Sequence, residues 1–275
     1  FVKIGLDLIK KRINKVISTL IDNSKLRSTP TSTDIGFTIG PQLNAASRID
    51  DSSLPSKLLI SNNNEEIHSI SRKLILLNEK RKLIENEIFE EAYKQALIQK
   101  DKKFNLVYGN NWHIGVLGIV ASRLNSIFYK PSIVISFENN YGIGSARSIN
   151  NIDLGQLILN AKELKILLNG GGHKMAAGLK INYKNLKKFS DFLEKNLNNL
   201  PNHLFYKIKY FDSILSVNEL NNDLLETLKI LEPFGNGNPE PEFIINDLYI
   251  KKINVLKDKH ILIFFENSFL NNIKG

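Results

Sequence analysis

"NGGGHKMAAGL", residues 169–179, sets three consecutive glycines before a histidine and follows them with small residues. Glycine loses more backbone freedom on folding than any other residue, so a triplet marks a place where something must come close to the main chain. Upstream, "DLGQLILNAKELKILL" carries a helical apolar period, and downstream "AAGLKI" reads as a strand. The spacing therefore predicts a glycine turn between a helix and a strand. In it Gly170, Gly171 and Gly172 would turn amides toward an anion, and His173 would donate to a phosphoryl oxygen. A helix cap alone requires one glycine, not three.

Working outward, residues 103–200 alternate strand and helix patterns: "FNLVYG", "IGVLGIVASRLNSIF", "PSIVISF", "YGIGSARS", then the glycine stretch and "NLKKFSDFLEKNLNN". This predicts an α/β domain with one mixed sheet. Before it, "NNNEEIHSISRKLILLNEKRKLIENEIFEEAYKQAL" opens with Asn caps and places Ile67, Ile70, Leu74, Leu77, Ile84 and Ile88 on one face. We read it as one connector helix of roughly 50 Å, with Arg81 interrupting the stripe. Residues 1–60 read as the tail of a domain, beginning with a short basic amphipathic helix, and Phe1 suggests a start inside a longer chain. After residue 203, short strands separated by turns suggest a small β-barrel that lacks the strands to close.

The chain has 275 residues, 37 Lys+Arg against 28 Asp+Glu, a formal charge of +9 and no cysteine. The absence of cysteine excludes disulfides and thiolate metal sites and suits a reducing cytoplasm. The positive balance favours a polyanion, although a lysine-rich bias gives the same number. No apolar run is long enough to span a bilayer, so no membrane partner is expected. There is no G-x-x-x-x-G-K-[ST] and no complete dinucleotide fingerprint, which removes nucleotide-cofactor readings.

Other stretches add candidates for a phosphate site. "GSARS" supplies Ser145, Arg147 and Ser148 at a strand end. "WHIG" sets His113 at a helix start, where amides attract anions, and "GPQLNAASRID" spaces Asn44 and Arg48 four apart on one helical face. Asp50 and Asp51 adjoin but diverge on a helix, and no His/Asp cluster has metal-ligand spacing, so no metal ligand is assigned in this segment.

Taken in order, "GFTIGPQLNAASRIDD", "LNEKRKLIE", "WHIGVLGIVASRL", "GSARS", "GGGHKMAAG" and "LEPFGNGNPEP" resemble the RecJ family of single-strand-specific DNA exonucleases, within the DHH phosphoesterase superfamily. The glycine motif is shared across the superfamily; the long helix and "LEPFGNGNPEP" narrow it. The resemblance implies four parts: 1–62 as the tail of a DHH catalytic domain, 63–101 as the connector helix, 102–202 as a DHH-associated substrate domain, and 203–275 as a truncated OB-fold. It also implies 5′-to-3′ cleavage of single-stranded DNA in repair and recombination. Two Mn²⁺ or Mg²⁺ ions would be held in an N-terminal DHH domain, with His173 beside the reacting phosphoryl group. A single-strand-binding protein and a helicase are implied as partners. Ser47 departs from the family's usual glycine before Arg48. The alternatives are a phosphodiesterase of short oligonucleotides or cyclic dinucleotides, and a non-catalytic nucleic-acid-binding module.

Overall fold

In the computed structural model, residues 1–26, 30–246, 248–256, 260–267 and 270–274 are described. The chain opens with α1 (Val2–Lys10), α2 (Lys15–Asn23) and a single turn, α3 (Ser32–Asp34), followed by a π-helical turn at Ile35–Ile39. Next come α4 (Gly40–Ile49), α5 (Leu54–Ile60) and α6 (Asn64–Ile98). The α/β region runs β1 (Asn105–Asn110), α7 (Leu117–Phe128), β2 (Ser132–Glu138), β3 (Tyr141–Arg147), α8 (Leu154–Glu163), β4 (Asn169–His173), β5 (Ala176–Asn182) and α9 (Leu186–Asn198). Last are β6 (Ser213–Leu215), α10 (Asn222–Ile230), β7 (Phe243–Ile245), β8 (Tyr249–Leu256), β9 (His260–Asn267) and β10 (Leu270–Lys274). Two compact units result, one of residues 39–207 and one of residues 1–38 with 208–275.

In the 39–207 unit the sheet has the order β1-β2-β3-β5-β4, with β1 and β2 parallel and the remaining pairs antiparallel. This is the expected α/β mixed sheet. Strand alternation sends Ile133, Ile135, Phe137, Ala146, Ala177, Leu179 and Ile181 to one face, where α8 and α9 bury them. Val107 and Val134 go to the other face, under α6 and α7. The second cover is incomplete. It reaches over β1, β2 and β3 and leaves the same face of β5 and β4 open.

The glycine stretch corrects its sequence reading. Gly170, Gly171 and Gly172 do not turn; they lie in edge strand β4, which pairs with β5 from Asn169↔Lys180 to His173↔Ala176. Helix α8 is also shorter than its apolar period suggests, because Lys165 takes φ 57° and folds Ile166 and Leu167 back into the core.

Helix α6 spans 35 residues, capped by Asn63, which accepts from the amides of Glu65 and Glu66. Its buried positions include Ile67, Leu74 and Ile88, as the stripe predicts. Arg81, which interrupts that stripe, is itself buried: it pairs with Glu85 at 2.5 Å and donates to Asn78 Oδ1. Glu85 also accepts from Arg123 of α7 at 3.0 Å, so α6 and α7 are locked by a shared carboxylate. A buried charge survives only when paired in this way. The last turns of α6 do a second job. Gln95 and Gln99 each form a two-way amide pair with β1, Gln95 with the N–H and C=O of Tyr108 and Gln99 with those of Leu106. Side chains four apart on a helix rise about 6 Å, which matches the two-residue repeat of a strand. They stand where a neighbouring strand's backbone would be.

In the other unit the expected single basic helix is two, α1 and α2, broken at Arg12, whose φ of 56° is left-handed and whose guanidinium pairs with Asp22 at 2.7 Å. Ser32 of α3 donates to Phe234 O at 2.7 Å. The strands form a parallel pair, β6 with β7, and an antiparallel meander, β8-β9-β10. Among the described residues they do not close a barrel.

Candidate phosphate-binding face

Register brings the candidate residues together on the open face of the sheet. Arg147 pairs with Ala176 and Ala176 with His173, so the three form one row across β3, β5 and β4. The next row is Ser145, Gly178 and Gly171, and the third Ile143, Lys180 and Asn169. Ser145 pairs with Val134 on its other side, which fixes this as the face carrying α7. Small residues in the central strand leave a shallow trough between Arg147 and His173, whose Cα atoms lie about 10 Å apart at two strand spacings.

The glycines divide by what surrounds them. A Cβ on Gly170 would meet Ile158 Cγ2 of α8 at 2.6 Å, and one on Gly172 would meet Ala176 O at 2.3 Å, so both are required by packing within the fold. A Cβ on Gly171 would meet nothing within 4 Å, and one on its partner Gly178 only Gly144 O at 3.9 Å. The fold itself does not need those two to be bare. They expose main chain on the open face, and a hollow of about 470 Å³ lies along Ile143, Asn169, Gly171, Gly178 and Lys180.

The first turn of α7 and the end of α4 close one side. A Cβ on Gly118 would come within 2.9 Å of Arg147 Nη2 and 3.3 Å of Ser145 Oγ, so this glycine makes room for both side chains. Gly115 is as closely packed, since its Cβ would strike Arg48 O at 2.0 Å. Arg48 Nη1 donates to Gly115 O at 3.0 Å. Burial lowers the Arg147 pKa from its ordinary value, and the like charge of Arg48 lowers it further. Neither arginine makes an ion pair among the described residues. Two neighbouring cations that repel are stabilised by an anion between them.

His113 stands at the turn leading to α7, where its Nδ1 accepts from Gly115 N at 3.2 Å. With Trp112, Tyr141, Ile143 and Lys180 it lines a second hollow of about 560 Å³, which shares Ile143 and Lys180 with the first. Asn44 and Arg48 are both exposed on α4, four residues apart as the spacing predicts. Ser148 corrects its expectation: it is 2% exposed, and its hydroxyl donates to Ile152 O at 2.8 Å, which shapes the turn after β3. Gly155 escaped sequence reading. Its Cβ would meet His173 C at 2.9 Å, so the start of α8 presses on the histidine's backbone and, with Leu154 N donating to Lys174 O, fixes the hairpin. Among the described residues no three His, Cys, Asp or Glu side chains gather as a metal site. Arg147, Arg48, His173 and Ser145 are cationic or neutral, which suits phosphate and not a divalent ion, while Glu138 lines the adjoining hollow beside His113.

Residues 101–199, which hold the mixed sheet with its glycine edge strand, match the DHHA1 domain. Residues 211–275 match the RecJ OB domain. The single-stranded-DNA-specific exonuclease RecJ of Haemophilus influenzae is 34% identical over 223 residues, which cover 78% of this chain and 39% of that protein. The RecJ of Bacillus subtilis is 29% identical over 223 residues, covering 80% and 28%. The crystal structure of RecJ in complex with Mn²⁺ from Thermus thermophilus superposes with a TM-score of 0.85 at 24% identity, over 100% of this chain and 40% of that one. This chain belongs to the RecJ family. It spans less than half the length of these relatives.

Proposed function

We propose that this chain supplies the substrate-binding portion of a single-strand-specific 5′-to-3′ DNA exonuclease that acts in repair and recombination. One observation carries the reading: the open sheet face sets Gly171 and Gly178, bare without an internal packing reason, beside two arginines that make no ion pair among the described residues. A phosphodiester fits that arrangement. Main chain without Cβ lets the phosphate approach, Arg147 and Arg48 neutralise it, and Ser145 Oγ and His173 are placed to donate to its oxygens. His113 lines the adjoining hollow, and Asn44 is read as a further phosphate contact. On this reading His173 is a donor to the phosphoryl group, carried on backbone that Gly155 packs against.

Among the described residues no metal site is formed, and the Mn²⁺ or Mg²⁺ of the RecJ crystal structures would be held by the DHH domain that residues 1–62 are read to complete. The connector helix over 63–101, the substrate domain over 102–202 and the OB-fold over 203–275 complete that division. The OB match favours a polynucleotide over a cyclic dinucleotide as substrate, because OB surfaces track single strands. Among the described residues no helix is long and apolar enough to cross a membrane. A cytoplasmic setting, a single-strand-binding protein and a helicase belong to the same reading.

The test is the binding of single-stranded DNA by this chain without metal, followed over salt concentration. We expect binding that weakens as salt rises, with no cleavage. Cleavage by the chain alone, or no binding at low salt, would overturn the reading.

A further inference from the structure

The opposite edge of the sheet carries a second feature, which the face described above does not use. Beyond β1 a hollow of about 590 Å³ lies between the end of α6 and the start of α9, lined by Gln99, Lys102, Tyr108, Tyr183, Lys184 and Lys187, among others. Tyr108 and Tyr183 are 38% and 50% exposed, which is high for large aromatic side chains in a folded domain. They meet edge to face with ring centroids 6.3 Å apart, and both lean on buried Phe137, at 5.9 and 5.1 Å. The rings are thus held in place while presenting surface to solvent. An ordered aromatic surface costs little further entropy when a flat partner stacks on it.

Charge identifies the partner. Lys102 is occupied by Glu194 at 3.0 Å. Lys184 and Lys187 are exposed and make no ion pair among the described residues, and no carboxylate lines the hollow. Two anchored tyrosines beside two unpaired lysines match a nucleobase and its flanking phosphates. Single-strand-binding surfaces are built in this way, from stacking platforms within a cationic groove. A polypeptide would need donors and acceptors from β1, yet Gln95 and Gln99 already satisfy the outer groups of Tyr108 and Leu106. A protein strand finds nothing to pair with there, whereas a base needs only the ring faces.

We infer that the Tyr108/Tyr183 hollow is a second contact site for single-stranded nucleic acid, stacking a base on tyrosine and holding phosphates with Lys184 and Lys187. It rests on the proposed function, since it supposes that the chain binds a polynucleotide. The two edges of a five-stranded sheet are about 19 Å apart, so a dinucleotide cannot occupy both and a longer strand can.

The experiment compares a labelled dinucleotide with an oligothymidylate of about 20 residues, binding to the intact protein with divalent ions chelated. The double variant Lys184→Glu/Lys187→Glu should weaken the long oligomer by about tenfold and leave the dinucleotide unchanged, as should Tyr183→Ala, since a stacked base contributes about that factor. Lys162→Glu/Lys165→Glu, with the same charge change on another surface, should cost the long oligomer far less. A strand bearing 5-iodouracil should crosslink to Tyr108 or Tyr183. If wild-type protein binds the long oligomer and the Lys184/Lys187 variant binds it equally well, or no worse than the Lys162/Lys165 control, the second site is refuted while the proposed function stands. If wild-type protein binds neither length, both fall. Melting curves of the lysine variants, whose side chains are solvated, guard against misfolding as the cause.

Discussion

The two edges of one sheet are finished in opposite ways. At β1 the helix α6 lays two glutamine amides against the strand and occupies its outer donors and acceptors. At β4 the edge is made of glycine, and the position that faces the open side, Gly171, has nothing near it. An unpaired edge invites aggregation, and proteins cover such edges unless another demand prevents it. At β1 the backbone of the edge is sealed by side chains; at β4, on the proposed function, side-chain cover would occupy the space that a phosphate needs.

The sharpest attack on this comparison is aimed at the bare side. If the proposed function holds, Arg147→Ala and His173→Ala in the full-length protein should each lower cleavage by about 10²-fold or more with little change in melting temperature, as for lost transition-state donors. Near-normal turnover in both would reduce the open face to a structural surface. Next, Gln95→Ala/Gln99→Ala should destabilise the protein by about 2 kcal/mol, from up to four lost hydrogen bonds partly replaced by water, and should promote self-association visible by size exclusion. A monomer with unchanged melting would mean that β1 needs no seal.

The glycines can be set against one another within a single strand. Gly172→Ala drives a methyl into Ala176 O and should cost about 1–3 kcal/mol of stability, whereas Gly171→Ala meets empty space and should leave melting unchanged while weakening single-stranded DNA binding severalfold. Equal melting losses in the two would end the distinction between packing glycine and ligand glycine. The smallest effect is expected at Gly118→Ala. Its methyl needs only a few tenths of an ångström from the end of Arg147, and alanine favours the helix by up to about 1 kcal/mol, so stability should hold or rise as affinity falls about threefold. Affinity equal to wild type would show that the guanidinium has no fixed position to lose.

Local patterning made much of this protein legible. The alternation of periods over residues 103–200 specified a mixed α/β sheet, the Asn63 cap and apolar stripe specified α6, and the four-residue spacing placed Asn44 and Arg48 on one face of α4. Those features depend on neighbours a few residues apart, which is the range of helical and strand periodicity. The register of β4 against β5 does not. "NGGGH" has no β-branched or aromatic residue to mark it as a strand, and it becomes one only because β5 offers it a ladder. The same pairing decides which glycine faces the open side, which faces α8 and which its own hairpin, and it sets Ser145 on the same face as Arg147 while Ser148, just past the strand, is buried. Sequence by itself determined the residue types that can hold a phosphate. Only the tertiary structure decided which of them share a face, because strand register and helix cover are set by contacts between segments far apart in the chain.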